Sequence, residues 1–187
     1  MKKEASTAGY LLKLTLILFA ITAVVAILLG AVNAVTADRI AAIQAEKTAE
    51  AIRTVLPSEA EPEQLTAYED ETGLVTAVYR MGGDGYAIEL VVGGSQGDID
   101  MMVGVGSDGA VTGISFISMS ETSGLGSVAA QESEKGEAFR SQFIGKTGSV
   151  AVTKDGGDID SLTGATVTSR AVAEAVSAAL SCAANLS

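Results

Sequence analysis

The run from residue 14 to residue 37 constrains the fold more than any other feature, because it contains no charged side chain. As an α-helix it would extend about 36 Å, which is enough to cross a hydrocarbon core of about 30 Å. Lys13 precedes the run and Asp38 follows it, so the positive-inside rule places residues 1–13 in the cytoplasm and the chain after residue 37 outside. We therefore expect a transmembrane helix over 14–37 in a single-pass protein of the cell (inner) membrane.

A cleaved signal peptide is the competing interpretation of this run. Val35-Thr36-Ala37 resembles a small-residue cleavage site. The run is nevertheless longer than the apolar core of a signal peptide, which has about 7–15 residues. We expect the segment to remain as an anchor.

The chain after the anchor changes its periodicity. Residues 38–63 are expected to form a helical stalk and a linker, with Pro57 ending the helix. Between residues 65 and 118 apolar side chains recur at every second position, and Asp84-Gly85 and Asp108-Gly109 separate such runs as hairpin turns do. This pattern predicts about four or five strands, mostly antiparallel.

Helices are expected after the strands. Residues 128–143 indicate one or two short helices that break at Gly136, and Phe139 and Phe143 share a face that closes the core. The stretch from Arg170 to Leu186 contains neither Gly nor Pro and predicts a helix. The fold class is therefore α+β, with a mostly antiparallel sheet and flanking helices in a domain over 64–187.

Composition excludes most of the redox chemistry that side chains or metals carry out. The chain of 187 residues has no His and a single Cys, so it lacks the ligands for zinc, for an iron–sulfur cluster held by this chain alone and for c-type haem. A His-dependent catalytic triad is excluded too. The net charge of −11 disfavours nucleic-acid binding. Redox activity would need an organic cofactor, and we expect no metal site and no catalytic residue. Cys182 is interpreted as a packing residue.

Asp160-Ser161-Leu162-Thr163-Gly164-Ala165-Thr166 is the stretch with the clearest chemical implication. Gly164 and Ala165 leave space before a helix, and we expect Thr168 and Ser169 to cap its first N–H groups. A helix N-terminus favours anions, so a phosphate joined to Thr166 would be stabilised by backbone dipoles. We also expect Asp160 to accept hydrogen bonds from the turn amides that follow it. From these residues alone, a loop and N-cap without a ligand remains the alternative.

A second loop lies about 40 residues earlier, at Ser120-Glu121-Thr122-Ser123-Gly124-Leu125-Gly126. Two glycines around one Leu predict a sharp turn that admits close neighbours. By itself this pattern is equally typical of a connection between a strand and a helix.

The two stretches together resemble the FMN-binding domain family. The first resembles its flavinylation motif, Asp-x-x-(Ser/Thr)-Gly-Ala-Thr, and the second resembles its Glu-Thr-Pro-Gly-Leu-Gly loop, with Ser123 in place of Pro. The resemblance implies an extracytoplasmic domain with covalent FMN, joined through its phosphate to Thr166. It also implies a flavin transferase that uses FAD and Mg²⁺ and recognises Asp160. The other residues expected beside the flavin or its phosphate are Glu121, Thr122, Gly124, Leu125, Thr163, Gly164, Ala165, Thr168 and Ser169.

The family includes the G subunit of the Rnf complex and the C subunit of the sodium-pumping NADH:quinone reductase. The compact chain favours the G subunit, which implies an electron carrier among membrane and iron–sulfur subunits of a complex that couples ferredoxin:NAD⁺ oxidoreduction to Na⁺ or H⁺ transport. The C subunit and a stand-alone flavinylated carrier remain alternatives. An unflavinylated, membrane-anchored scaffold protein is the alternative from another class.

Overall fold

The computed structural model describes residues 3–186 and begins with one long helix, α1, over Lys3–Val55. The helix ends two residues before Pro57, in agreement with the predicted stop. Between Gly9 and Val55 it is long and apolar enough to cross a membrane, and its large apolar side chains between residues 10 and 43 are exposed. The chain divides into two compact units, Met1–Ala45 and Glu46–Ser187, so the last turns of α1 belong to the second unit.

The sheet is a five-stranded antiparallel meander in the order β1-β2-β3-β4-β5, which confirms the predicted α+β class. The strands are β1 Glu63–Leu65, β2 Val75–Arg80, β3 Gly85–Gly93, β4 Asp98–Gly106 and β5 Val111–Met119. Asp84-Gly85 connects β2 to β3, and Asp108-Gly109 connects β4 to β5, as the turn signals predicted. Gly109 has a φ of 76°, a left-handed conformation that glycine adopts without steric cost.

One face of the sheet packs against the C-terminal helix, α3, over Thr166–Leu186. The core on this face consists of alternate strand residues, such as Ile88, Leu90, Met101 and Val103, together with the Ala- and Val-rich face of α3. The four strand side chains are buried, because period-two alternation directs them to the same side of the sheet.

The last turns of α1 cover the opposite face. Ile52 and Val55 are buried there in a cluster with Ala87, Met102 and Ile117. Val55 also accepts a hydrogen bond from Thr112 Oγ1 at 2.6 Å through its carbonyl oxygen. The sheet is therefore covered on both faces by helices.

Three short elements lie between β5 and α3, and the last of them is a 3₁₀ turn over Thr153–Asp155. A 3₁₀ turn over Gly126–Ala130 precedes α2, Glu134–Ser141, and Phe139 and Phe143 pack edge-to-face with ring centroids 5.3 Å apart. The predicted break at Gly136 is wrong, because the helix begins with Ser133 as its N-cap and Gly136 lies in its first turn. A side chain at Gly136 would collide with the carbonyl oxygens of Val128 and Gln131, so the glycine permits close packing instead of ending a helix.

Candidate functional site

The first turn of α3 begins earlier than expected. The amide of Ser169 donates the first helical hydrogen bond to the carbonyl of Ala165, at 3.0 Å, so Thr166 is the first helical residue. The expectation that Thr168 and Ser169 cap the helix is wrong, since both lie inside it and are 1% and 0% exposed. Ser169 Oγ instead donates to the Ala165 carbonyl at 2.9 Å and accepts from the Leu162 amide at 3.0 Å. It fixes the preceding turn onto the helix.

That turn contains Gly164, which has a φ of 77°. The Ala165 amide closes the turn by donating to the Leu162 carbonyl at 3.0 Å. A Cβ at Gly164 would lie 3.1 Å from Leu125 Cδ2, so the two motifs, distant in sequence, meet at this point. Gly164 thus supplies both the backbone conformation and the clearance beside Leu125.

Glu121 connects the two motifs through hydrogen bonds. Its Oε1 accepts from the amides of Ser95, at 2.6 Å, and Gln96, at 3.2 Å, in the turn between β3 and β4. Its Oε2 accepts from Thr168 Oγ1 at 2.8 Å. One carboxylate therefore holds the β3–β4 turn against the first turn of α3. Gly126 leaves the space for this contact, because a side chain there would collide with both Glu121 and Thr168.

The loop after Glu121 folds back on itself. The Thr122 carbonyl accepts hydrogen bonds from the amides of Leu125, at 3.1 Å, and Ser127, at 3.4 Å, while Gly124 has a φ of 76°. Ser127 Oγ accepts from the Gly124 amide at 3.1 Å. The turn leaves the Leu125 side chain 43% exposed beside the Gly164 turn.

Thr166 has a polar partner that the sequence analysis missed. Its half-buried side chain accepts a hydrogen bond at Oγ1 from Lys154 Nζ, at 3.0 Å. Lys154 lies on a 3₁₀ turn, Thr153–Asp155. The residue that follows Lys154 in this turn, Asp155, is also charged. No spacing rule links a lysine twelve residues upstream to Thr166, so only the folded chain reveals the contact.

Asp155 attaches the same 3₁₀ turn to α3. Its carboxylate accepts hydrogen bonds from Arg170 Nε, at 2.5 Å, and Nη2, at 2.6 Å. These bonds hold the pKa of Asp155 below its usual range. The paired geometry fixes the turn that carries Lys154 relative to the first turn of the helix.

Asp160, at the start of the motif that contains Thr166, is held through its backbone. Its amide donates to Gln142 Oε1 at 2.7 Å, and its carbonyl accepts from Gln142 Nε2 at 3.2 Å. The expected hydrogen bonds from turn amides to its side chain are wrong, since no group among residues 3–186 donates to that exposed carboxylate. The Asp160 carboxylate therefore faces solvent.

A cleft of about 580 Å³ opens next to these elements. It is lined by Leu125 and Gly124 from one motif, by Asp160, Leu162 and Thr163 from the other, and by α2 residues that include Phe139. Its size lies in the usual range for small-molecule sites. A larger cavity of about 760 Å³ lies at the opposite end of α3 and contains no residue of either motif.

These features fit a flavin that carries a phosphate. The Lys154 ammonium and the N-terminal amides of α3 favour an anion at Thr166 Oγ1. The cleft beside Leu125 provides partly apolar walls of the kind that a ring system requires. Thr122 and Thr163 are exposed next to this region, whereas Thr168 and Ser169 lie beneath it.

Comparison with known proteins shows the family to which the chain belongs. The model of the FMN-binding domain matches residues 94–181, which include both motifs. The G subunit of the ion-translocating oxidoreductase complex of Methanosarcina acetivorans is 33% identical over 177 residues, covering 90% of this chain and 92% of its own length. This chain belongs to the Rnf G-subunit family.

Other members of the family show similar agreement. The G subunit of the Na⁺-translocating ferredoxin:NAD⁺ oxidoreductase complex of Acetobacterium woodii is 32% identical, covering 94% of this chain and 92% of its own length. The G subunit of the ion-translocating oxidoreductase complex of Aliivibrio fischeri is 34% identical over 89% of this chain and 86% of its own length. Membership confirms the resemblance inferred from the two motifs and indicates a flavin-containing electron-transport subunit.

Proposed function

We propose that the chain is a membrane-anchored electron carrier whose FMN is joined through a phosphoester to Thr166. The observation that carries the proposal is the position of Thr166 Oγ1, which lies at the first residue of α3, partly exposed and in contact with the Lys154 ammonium. A phosphate attached there would meet positive charge from the helix dipole and from the lysine.

The attachment step is a phosphoryl transfer from FAD, carried out by a separate Mg²⁺-dependent transferase. A bond forms between Thr166 Oγ1 and the phosphorus of the FMN half, and the pyrophosphate P–O bond breaks. AMP leaves, and the hydroxyl proton passes to the transferase or to solvent. The exposed Asp160 carboxylate is the group that we assign to recognition by the transferase.

The residues around the cleft would then hold the cofactor. Leu125 and Thr163 would border the ring system, Thr122 would supply an exposed hydroxyl, and Glu121 would keep the two motifs together. The isoalloxazine, when bound, accepts and returns electrons, while the protein fixes its position and environment. Thr168 and Ser169 act indirectly, by fixing the turn that leads to Thr166.

The relatives support a role for the carrier within a larger complex. In an Rnf-type complex it would relay electrons among membrane and iron–sulfur subunits while the complex couples ferredoxin:NAD⁺ oxidoreduction to Na⁺ or H⁺ transport. The N-terminus would be cytoplasmic, residues 14–37 would span the membrane, and the flavin domain over 64–187 would lie outside.

Intact-mass measurement tests the attachment. The full chain, produced together with a competent flavin transferase, is expected to carry one FMN adduct, and Thr166→Ala is expected to abolish it. Thr147→Ala is the matched control, because it removes an exposed threonine hydroxyl that lies outside both motifs. An unmodified wild-type chain, or an adduct that persists in Thr166→Ala, would refute the proposal.

A further inference from the structure

Three cations lie in the segments that surround the Thr166 turn, and two of them are paired with carboxylates. Arg170 binds Asp155 through two nitrogens, at 2.5 and 2.6 Å. Lys146 pairs with Asp158. Lys154 belongs to the same group but makes no ion pair within residues 3–186, and its ammonium donates to Thr166 Oγ1 at 3.0 Å. An ammonium that forms no ion pair, although the charge of the neighbouring Asp155 acts on it, therefore faces the candidate attachment oxygen.

The backbone around Lys154 holds this charge in place. The Thr153 amide donates to the Ile159 carbonyl at 2.8 Å, and the Asp155 amide donates to the Val152 carbonyl at 2.9 Å. Gly156 ends the 3₁₀ turn with a φ of 87°. The Asp155–Arg170 pair then connects the turn to α3. Lys154 is thus presented from a turn with several fixed contacts.

The overall negative charge of the chain makes a local positive charge important for binding an anion. The protein has a net charge of −11, so its long-range field repels an anionic ligand. A nearby unpaired ammonium counteracts that repulsion locally. It also forms charge-assisted hydrogen bonds to phosphate oxygens, which are stronger than those between neutral groups.

We propose that Lys154 is the residue that binds the FMN phosphodiester and orients it at Thr166. This inference rests on the proposed attachment of FMN to Thr166. In the unmodified chain Lys154 holds the hydroxyl, and in the modified chain the same ammonium pairs with the non-bridging phosphate oxygens. Lys154 is a binding and positioning residue and takes part in no electron transfer.

The test uses the full chain with its transferase and compares Lys154→Met, Lys154→Arg and Lys146→Met. Lys146→Met is the matched control, because it removes one positive charge from the same region but from a lysine paired with Asp158. The initial rate of flavin attachment, followed by intact mass, is expected to fall by about tenfold in Lys154→Met, as the loss of a charge-assisted hydrogen bond to a phosphoryl group implies. Lys154→Arg should restore most of the rate, and Lys146→Met should leave it near the wild-type value.

The ³¹P signal of the fully modified chain gives a second measurement that a purely structural role would not change. Its chemical shift should differ from wild type in Lys154→Met and return towards it in Lys154→Arg, while thermal stability stays constant. Equal rates and equal ³¹P shifts in wild type and Lys154→Met would overturn the inference, as would a failure of arginine to restore them. A wild-type chain without flavin would instead refute the attachment itself, and this inference with it.

Discussion

A cavity lies at each end of α3, but the residues around the two cavities differ in their chemistry. The larger cavity, of about 760 Å³, lies at the C-terminal end and is lined mostly by Gly, Ala and Ser, with Glu174 as the charged residue among those that form its wall. The smaller cleft, of about 580 Å³, lies at the N-terminal end beside the two motifs. The helix dipole favours anions at its N-terminus and disfavours them at its C-terminus. Volume alone would therefore select the wrong end for a phosphate-bearing cofactor.

The polar contacts also differ between the two ends of α3. At the N-terminal end, Glu121 and Ser169 each hold backbone amides, and Lys154 holds the Thr166 hydroxyl. At the C-terminal end, Cys182 is buried, and this burial, with a smaller contribution from the charge of Asp70, raises the pKa of its thiol. A buried thiol of this kind is poorly reactive. At the N-terminal end polar contacts surround a partly exposed hydroxyl, whereas at the C-terminal end the reactive group, the Cys182 thiol, is buried.

Removing the Glu121 carboxylate should have the largest effect on stability. Glu121→Ala eliminates three hydrogen bonds, so the free energy of unfolding should fall by about 3 kcal/mol and flavin attachment should decrease as the motifs separate. Glu174→Ala is the control at the other end, because its exposed carboxylate should contribute within about 0.5 kcal/mol. Chemical denaturation of the two variants checks the difference, and equal losses would contradict the assigned role of Glu121.

Two glycines with nearly the same conformation allow a sharper comparison. Gly164 and Gly109 have φ values of 77° and 76°, so alanine at either should cost about 1 kcal/mol in backbone strain. A Cβ at Gly109 has no heavy atom within 4 Å, whereas one at Gly164 lies 3.1 Å from Leu125 Cδ2. Gly164→Ala should therefore reduce flavin attachment, measured by intact mass, while Gly109→Ala should not. Equal attachment in the two variants would show that the clearance beside Leu125 is unimportant.

The fold was largely predictable because its signals are local. Period-two alternation and the Asp-Gly turns indicated the antiparallel meander, and Pro57 marked the end of α1. Gly136 was misread for a physical reason. A glycine that avoids a collision and a glycine that breaks a helix look the same in sequence, and only the carbonyl oxygens of the folded chain distinguish them.

The site was predictable only in part. The two motifs predicted Thr166 and the Glu121 loop as candidate site residues, and the fold brings that loop against the first turn of α3. Thr168 and Ser169 were expected to cap the helix, but its start depends on the Gly164 turn and on the hydrogen bonds of Ser169. Lys154 could not be found from the sequence, since its contact with Thr166 depends on how a separate 3₁₀ turn packs.

The smallest expected effect concerns the titration of Asp70, near the C-terminal end of α3. Asp70, whose charge reaches Cys182, accepts hydrogen bonds from the amides of Thr72 and Val75, both at 2.9 Å, and from Thr72 Oγ1 at 2.6 Å. Partial burial alone would raise the pKa of Asp70, but these hydrogen bonds together hold it below its ordinary value of 3.8. Since the folded-state pKa is lowered, the stabilisation by Asp70 is complete above the unfolded value and is lost as the pH falls through the folded one.

Asp70→Asn should accordingly lower the free energy of unfolding by about 1 kcal/mol at neutral pH, a value reduced by the solvent exposure of the carboxylate. The difference in the free energy of unfolding between wild type and variant should narrow as the pH falls below 3.8, the ordinary pKa of Asp, and then close. Urea denaturation between about pH 3 and pH 7 measures this difference. Glu71→Gln is the control, because Glu71 is the exposed neighbour of Asp70. Flavin attachment at the distant N-terminal end should stay unchanged in Asp70→Asn. A difference that is constant with pH would contradict the lowered pKa of Asp70. A loss of flavin in Asp70→Asn would show that the two ends of α3 are not independent.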